Sequence, residues 1–416
     1  MSAPLPTLQR LRVTFPAEQV EDIGRTVRDQ INGLSHVPDG ARIAIAVGSR
    51  GIANLSTIVR ATVDTLKAQG ATVFIVPAMG SHGGATAAGQ RDVLAGYGVT
   101  EEAMGCPILA TMDVVELPAR DLEHPLFLDR HAAEADGIVL INRIKPHTDF
   151  HGRYESGLVK MAIIGLGKEA AALALHRFGV RGLRDLIPRA AAQLLATGRI
   201  LFGLAIVENA YEATALIEAI PGNRILDREP ILLAVAYRQQ PSLPLEDIDV
   251  LVVDRLGKNI SGTGMDTNII GRLRIAGESE PNSPRIKMIL VTDLTDESHG
   301  NAVGTGLADI ITTRLAAKID HRITYINVAT SGFLERGKVP LAAPTDAAGL
   351  ELALRASGCL DPATARVIRI RDTLHLGEIL ASPAAVAALG GRDHVTVIGE
   401  PRPAVDAVGR LLPFEG

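Results

Sequence analysis

Short runs of β-branched and aliphatic residues alternate with segments of helical periodicity, and this alternation restricts the fold more than any other feature of the chain. RIAIAV (Arg42–Val47) and TVFIVP (Thr72–Pro77) flank residues 54–70, NLSTIVRATVDTLKAQG, whose apolar positions recur at helical spacing until Gly70. That order reads as a βαβ unit. GIVLI (137–141) and LFGLAIV (201–207) continue the pattern. Runs with no polar alternation are buried on both faces, as in parallel sheets covered by helices, and such sheets carry their chemistry in loops at the C-terminal ends of strands.

A chain of 416 residues exceeds the roughly 250 to 300 that one core supports, so two domains are expected. Residues 213–249 contain PGNRILDREP and RQQPSLPLED, rich in proline and charge, and read as connecting structure. The alternation then restarts with DVLVVDRLG (249–257), KMILVTDL (287–294), a helical pattern over 302–319, a strand-like RITYINV (322–328), ARVIRI (365–370), a helix in ASPAAVAALGG (381–391) and a last strand in HVTVIG. The expected fold is α/β. An N-terminal domain of residues 1–245, which 395–416 can complete, holds the cofactor, and a C-terminal domain of residues 246–394 closes over substrate across an interdomain cleft.

Formal charge is -5, aromatics make up 3% and tryptophan is absent, which argues against a base-stacking or phosphate-tracking surface and so against nucleic acid. Cys106 and Cys359 are too few for a disulfide framework and form no CxxC. No run approaches the roughly 20 apolar residues that cross a bilayer, and the opening MSAPLPTLQRLRVTFP lacks a signal-peptide core, so no membrane partner and a cytoplasmic location are expected. Monomer and homo-oligomer both remain open.

The densest chemistry lies in KPHTDFHGRYESGLVKMAIIGLGKEAAALALH, residues 145–176, where Lys145, His147, His151, Lys160, Lys168 and His176 are interleaved with Gly152, Gly157, Gly165 and Gly167. A lysine among apolar neighbours can lose its proton and attack a carbonyl-type group, or simply lay its stem along apolar surface with the head in water. His176 ends a helical pattern and can serve as a ligand or as a helix terminator. Two earlier loops join this set. Gly48, Ser49 and Arg50 follow the first βαβ strand and precede a helix, a placement suited to cradling an anion, although the spacing is neither GxGxxG nor GxxxxGK(S/T). His82, in PAMGSHGGA, is either an accessible acid–base group or a hydrogen-bonding residue of the loop backbone.

These loops resemble those of the nickel-dependent lactate racemase family, whose members hold a nickel-pincer nucleotide, a pyridinium-derived cofactor that binds nickel through carbon and sulfur. The family pattern has an arginine after the first strand, a histidine in a glycine-rich turn after the second, and a Pro-His motif ahead of a cofactor-bearing lysine. A further histidine completes nickel coordination. The resemblance puts these roles on Arg50 for the substrate carboxylate, His82 and His147 for proton exchange from opposite faces, Lys160 for cofactor attachment and His176 for nickel, with Ser49 and Gly165 lining the cofactor. Several extra residues separate His147 from Lys160, so His151 stands as an alternative acid–base group. Lys168 is the weaker anchor because choosing it loses the spacing to His176.

In the second half, GTGMDTN resembles the family's Gly-x-Pro-x-Asp-x-Asn region, with Gly264 in place of the proline. Where that region leads to a substrate-contacting glutamine and lysine, this chain has Gly271 and Arg274, which puts lactate itself in doubt. Arg274, Lys258 and Arg272 are the candidates for a substrate carboxylate, or else belong to a solvated charged face. Asp293, Glu297 and His299 match no strong metal signature. The resemblance implies racemization or epimerization of a small 2-hydroxy acid by transient hydride transfer to the tethered cofactor. The alternatives are a hydroxy-acid oxidoreductase or lyase on the same scaffold, and a non-catalytic protein that binds an anionic nucleotide.

Overall fold

The computed structural model describes residues 5–34, 37–48 and 51–414. Two compact units emerge: Pro16–Gln240, and Met1–Phe15 together with Pro241–Gly416. The chain opens with β1 (Gln9–Val13), which belongs to the second of these.

The first unit contains β2 (Arg42–Val47), β3 (Thr72–Pro77), β4 (Val114–Leu117), β5 (Leu126–Asp129), β6 (Gly137–Arg143), β7 (Ile200–Glu208) and β8 (Thr214–Pro221). Its main sheet runs β3-β2-β6-β7-β8, parallel up to β7 and antiparallel at β7/β8, while β4 and β5 form a separate antiparallel pair. Five of the six β2 residues are buried, which is why the strand reads as continuously apolar. The helix Leu55–Ala68 lays Leu55, Ile58, Val59, Thr62 and Leu66 against this sheet at three- and four-residue spacing. Truncating Ile58 to alanine is expected to cost roughly 2 to 5 kcal/mol. The chain turns out of the helix at Gly70, with φ +89 and no room for a Cβ, which would lie 2.1 Å from Asp39 Oδ1.

The second unit adds β9 (Asp247–Leu256), β10 (Arg285–Leu294), β11 (Ile310–Thr312), β12 (Leu341–Ala343), β13 (Val367–Ile370), β14 (Glu378–Ala381) and β15 (Val395–Val397). The sheet order is β12-β11-β10-β9-β13-β14-β1-β15. Pairing is parallel from β12 to β13 and antiparallel from β13 to β15. Strand β9 is buried on both faces: Leu251 and Val253 enter one core cluster, Val250 and Val252 another. The α/β class is thus observed. Strands β1 and β15, read from sequence as parts or completions of the N-terminal domain, lie in this sheet, where Leu11 pairs with both Ile379 and Val397.

Three local expectations change. Residues 213–249 are not merely connecting structure, since β8 and the helix Ile225–Gln239 form there. Pro230 is accommodated inside that helix because the carbonyl of Leu226, which it cannot serve, accepts the Tyr154 hydroxyl at 2.8 Å. Residues 302–319 carry a strand, β11, set between β10 and β12, so sheet pairing overrides the helical spacing. Conversely RITYINV lies within the helix His321–Ser331, which Asp320 caps by accepting the Ile323 N–H and which Gly332 ends at φ +77. Among the described residues no helix is long and apolar enough to cross a membrane.

Candidate functional site

In the first unit, loops from the C-terminal ends of β2, β3 and β6 converge on the turn that carries Lys160. Close backbone approach makes this possible. The Ala78 N–H donates to Val47 O (2.8 Å), and the Gly80 N–H, at φ +63, donates to Gly165 O (3.3 Å). A Cβ at Gly165 would lie 2.6 Å from Ala78 O, and one at Gly48 would lie 2.8 Å from Asn142 Oδ1. Glycine is therefore required at 165, where the clash is with backbone, while a side chain at 48 would displace Asn142.

After β6, Lys145 and Ser156 exchange backbone hydrogen bonds (3.0 and 3.3 Å) and close the loop between them. Glu155, almost fully buried, organises that loop. Its carboxylate accepts the N–H groups of His147 (2.6 Å) and Gly152 (3.2 Å) and the Tyr237 hydroxyl (2.9 Å). His147, also buried, stacks on Phe150 with ring centroids 4.5 Å apart and places Nε2 2.5 Å from Lys160 Nζ. Its Nδ1 accepts the Asp149 N–H at 3.0 Å. Which of the two nitrogens donates in this contact depends on the tautomer of the ring and the protonation of the amine. The His151 ring instead meets Tyr237 Oη (2.9 Å) and Glu155 (3.4 Å).

Lys160 ends the short helix Leu158–Lys160, which continues into a π-helical turn, Met161–Gly165, and then the helix Lys168–His176. Single π turns inside helices are frequent at functional sites. His176 reaches solvent at the end of this run, yet the atoms packed around its ring lower its pKa by burial; the Lys160 charge lowers it further and Asp149 raises it. At neutral pH the imidazole is thus neutral, the form that ligates metals. Lys168 has a different role. Fully buried at φ +56, its ammonium meets Asp129 at 3.0 Å, Gln90 Oε1 at 3.2 Å and the Pro77 carbonyl, tying β5, the helix Ala87–Gly96 and the end of β3 together. Burial lowers its pKa and Asp129 opposes that shift.

His82, partly exposed, lies two residues beyond Gly80 in the loop that touches Gly165; its carbonyl accepts Gln90 Nε2 at 3.3 Å. Ser49 and Arg50 lie outside the described residues.

The second-unit candidates do not come together. Lys258 follows the C-terminal end of β9 and donates to Gly262 O. Arg274 lines a surface cavity with Asp247, Arg272 and Arg285, at the N-terminal ends of β9 and β10, and its guanidinium is 3.7 Å from Asp309. Lys258 and Arg274 therefore sit at opposite ends of one ten-residue strand. Arg272 is a buried brace, bonded to Asp309 (2.7 Å) and to the carbonyls of Leu307, Ile286 and Lys287. Gly271 cannot be replaced by the glutamine of the family pattern without rearrangement, because its φ is +62 and a Cβ would lie 2.0 Å from Pro284 O. Asp293 meets Lys318 (3.0 Å) and Arg314 (3.5 Å). Among the described residues no group of three or more His, Cys, Asp or Glu is arranged to hold a metal ion.

Sequence reading missed Asn142 and Glu229, which grip the Lys160 turn from two sides. Asn142 Nδ2 donates to Gly157 O (2.8 Å), and Glu229 Oε2 accepts the Val159 N–H (2.9 Å). Glu229 carried a signal: on its helix it replaces an apolar residue in the buried stripe Ile225, Glu229, Leu232, Leu233, Ala236. The proline and charges around it hid that stripe.

No protein-family model and no curated protein matches this sequence. Among solved structures, the chain is similar to the lactate racemase apoprotein from Thermoanaerobacterium thermosaccharolyticum, with a TM-score of 0.52 and 13% identity over 87% of this chain and 94% of that one. The likeness is one of fold.

Proposed function

We propose that the protein is a racemase or epimerase of a small 2-hydroxy acid that works with a nickel-pincer nucleotide attached to Lys160. The observation that carries this reading is the 2.5 Å contact between Lys160 Nζ and His147 Nε2, with His176 in electrostatic reach of the same amine, on a fold shared with a lactate racemase. The residues present fit the group: a lysine amine in its neutral form can bond an acyl carbon, and a neutral imidazole can donate a lone pair to nickel. When bound, the cofactor supplies a reversible hydride acceptor, which avoids removing a poorly acidic hydrogen as a proton.

The protein's own groups then divide the remaining work. His147, held through its backbone by Glu155, takes or returns the hydroxyl proton on one face of the substrate carbon, and His82 does so on the other. Arg50 orients the carboxylate, and His176 ligates the metal. Ser49 and Gly165 border the cofactor. The glycine at 271 points to a 2-hydroxy acid recognised differently from lactate.

The test is a chiral screen of single-enantiomer 2-hydroxy acids with protein expressed alongside the machinery that makes the cofactor. The reading predicts that the same mixture of enantiomers is approached from either side without net oxidation. Accumulation of an oxo acid or of an elimination product would replace it with an oxidoreductase or lyase.

A further inference from the structure

The turn that bears Lys160 is held by a carboxyl with no catalytic partner. Glu229 is fully buried in the helix Ile225–Gln239, sixty-nine positions away in sequence. Its Oε2 accepts the Val159 N–H at 2.9 Å, and the Leu158 N–H also favours its charge. Its Oε1 is buried without a hydrogen-bond partner among the described residues. On the other side, Gly157 leaves space for that oxygen, since a Cβ there would lie 2.4 Å from Oε1. The Gly157 carbonyl is in turn fixed by Asn142. A carboxyl in an apolar interior is costly, and a buried oxygen without a partner adds to the cost. Among the described residues Glu229 is paired with no cation. What it does contact is the first turn of the helix that ends in Lys160.

We infer that Glu229 is a positioning residue: by capping the Val159 N–H it fixes where the Lys160 amine lies against His147. This rests on the reading of Lys160 as the attachment lysine, but its consequence can be measured without the cofactor. A one-turn helix has no internal hydrogen bonds to spare, so the side-chain cap decides the path of its backbone. Shifting that backbone moves Nζ out of the 2.5 Å contact.

The experiment is competitive acetylation of the full-length protein by an N-hydroxysuccinimide ester. Labelling at Lys160 is read by peptide mass spectrometry relative to Lys338, an exposed lysine in the other unit. Glu229→Ala and Glu229→Asp, which remove or shorten the cap, are expected to lower relative labelling of Lys160 about ten-fold. Glu229→Gln keeps an acceptor oxygen at the same reach and is expected to retain the rate within about two-fold. Rescue by glutamine separates positioning from bulk packing. Should the alanine variant not fold, Gly157→Ala displaces the same carboxyl with Glu229 intact, and the same loss is expected. Parent-like labelling in a folded Glu229→Ala or Gly157→Ala protein overturns the inference, as does a glutamine variant that falls as far as alanine. If co-expressed parent protein carries no adduct while this labelling pattern holds, the functional reading fails and the positioning role stands.

Discussion

The loops beyond the parallel strands of the two units are comparably rich in glycine and ionisable residues, but their carboxylates are used differently. Around Lys160, buried Glu155 and Glu229 accept backbone N–H groups and fix the loops that present the basic residues. In the second unit carboxylates chiefly meet cations: Asp254 with Arg369 (2.7 Å), Asp293 with Lys318 (3.0 Å), Asp309 with Arg272 (2.7 Å) and Asp346 with Arg314 (2.9 Å). Asp309 and Asp346 also accept backbone N–H groups, from Ile289 and Leu411, so what sets these four apart is the cation that each holds as well. Lys160 and Lys168 show the same contrast eight residues apart.

The largest effect expected is on Lys168. Lys168→Met leaves Asp129 buried without its cation and is expected to destabilise the fold by roughly 3 to 5 kcal/mol, measured by chemical denaturation. The folded fraction should still accept the cofactor at Lys160. A variant of parental stability that cannot be loaded would reverse the roles given to the two lysines.

Next is the pH dependence set by Glu229, whose carboxyl is pushed up to about 7 from 4.5, first of all by burial. Between those values the folded protein keeps a proton that the unfolded chain has lost. Stability therefore falls as pH rises from 4.5 to about 7 and levels off above. The total is on the order of 3 kcal/mol, and Glu229→Gln should remove that slope from denaturation midpoints measured across the window. An unchanged slope would place the titration elsewhere.

Smaller effects sharpen the contrast within the second unit. Lys258→Ala removes a bond to the Gly262 carbonyl and is expected to cost about 1 kcal/mol in chemical denaturation, and Arg274→Ala, which loses a 3.7 Å pair with Asp309, less than about 1 kcal/mol. Least of all, Arg285→Ala removes an exposed pair with Asp247 and should change stability by less than about 1 kcal/mol.

Much of the architecture was legible because β2, β3, β6, β7, β9 and β10 are continuous apolar runs whose burial needs no long-range information. The illegible parts depended on partners. Residues 310–312 become a strand only between β10 and β12, and residues 322–328 become helical through Asp320 and Gly332. At the site, the density of residues 145–176 was visible, and the structure brings His147 to Lys160 and turns His151 toward Tyr237. The contact that Glu229 makes was not visible because it spans seventy residues.

The most direct test of the central claim is intact and peptide-level mass spectrometry, with nickel analysis, on protein expressed alongside the machinery that makes the pincer nucleotide. The account predicts a nucleotide-sized adduct on Lys160 with stoichiometric nickel, the metal being lost and the adduct kept in His176→Ala. An adduct on Lys168 or Lys145, or neither adduct nor nickel beside a control protein loaded in the same cells, would contradict it.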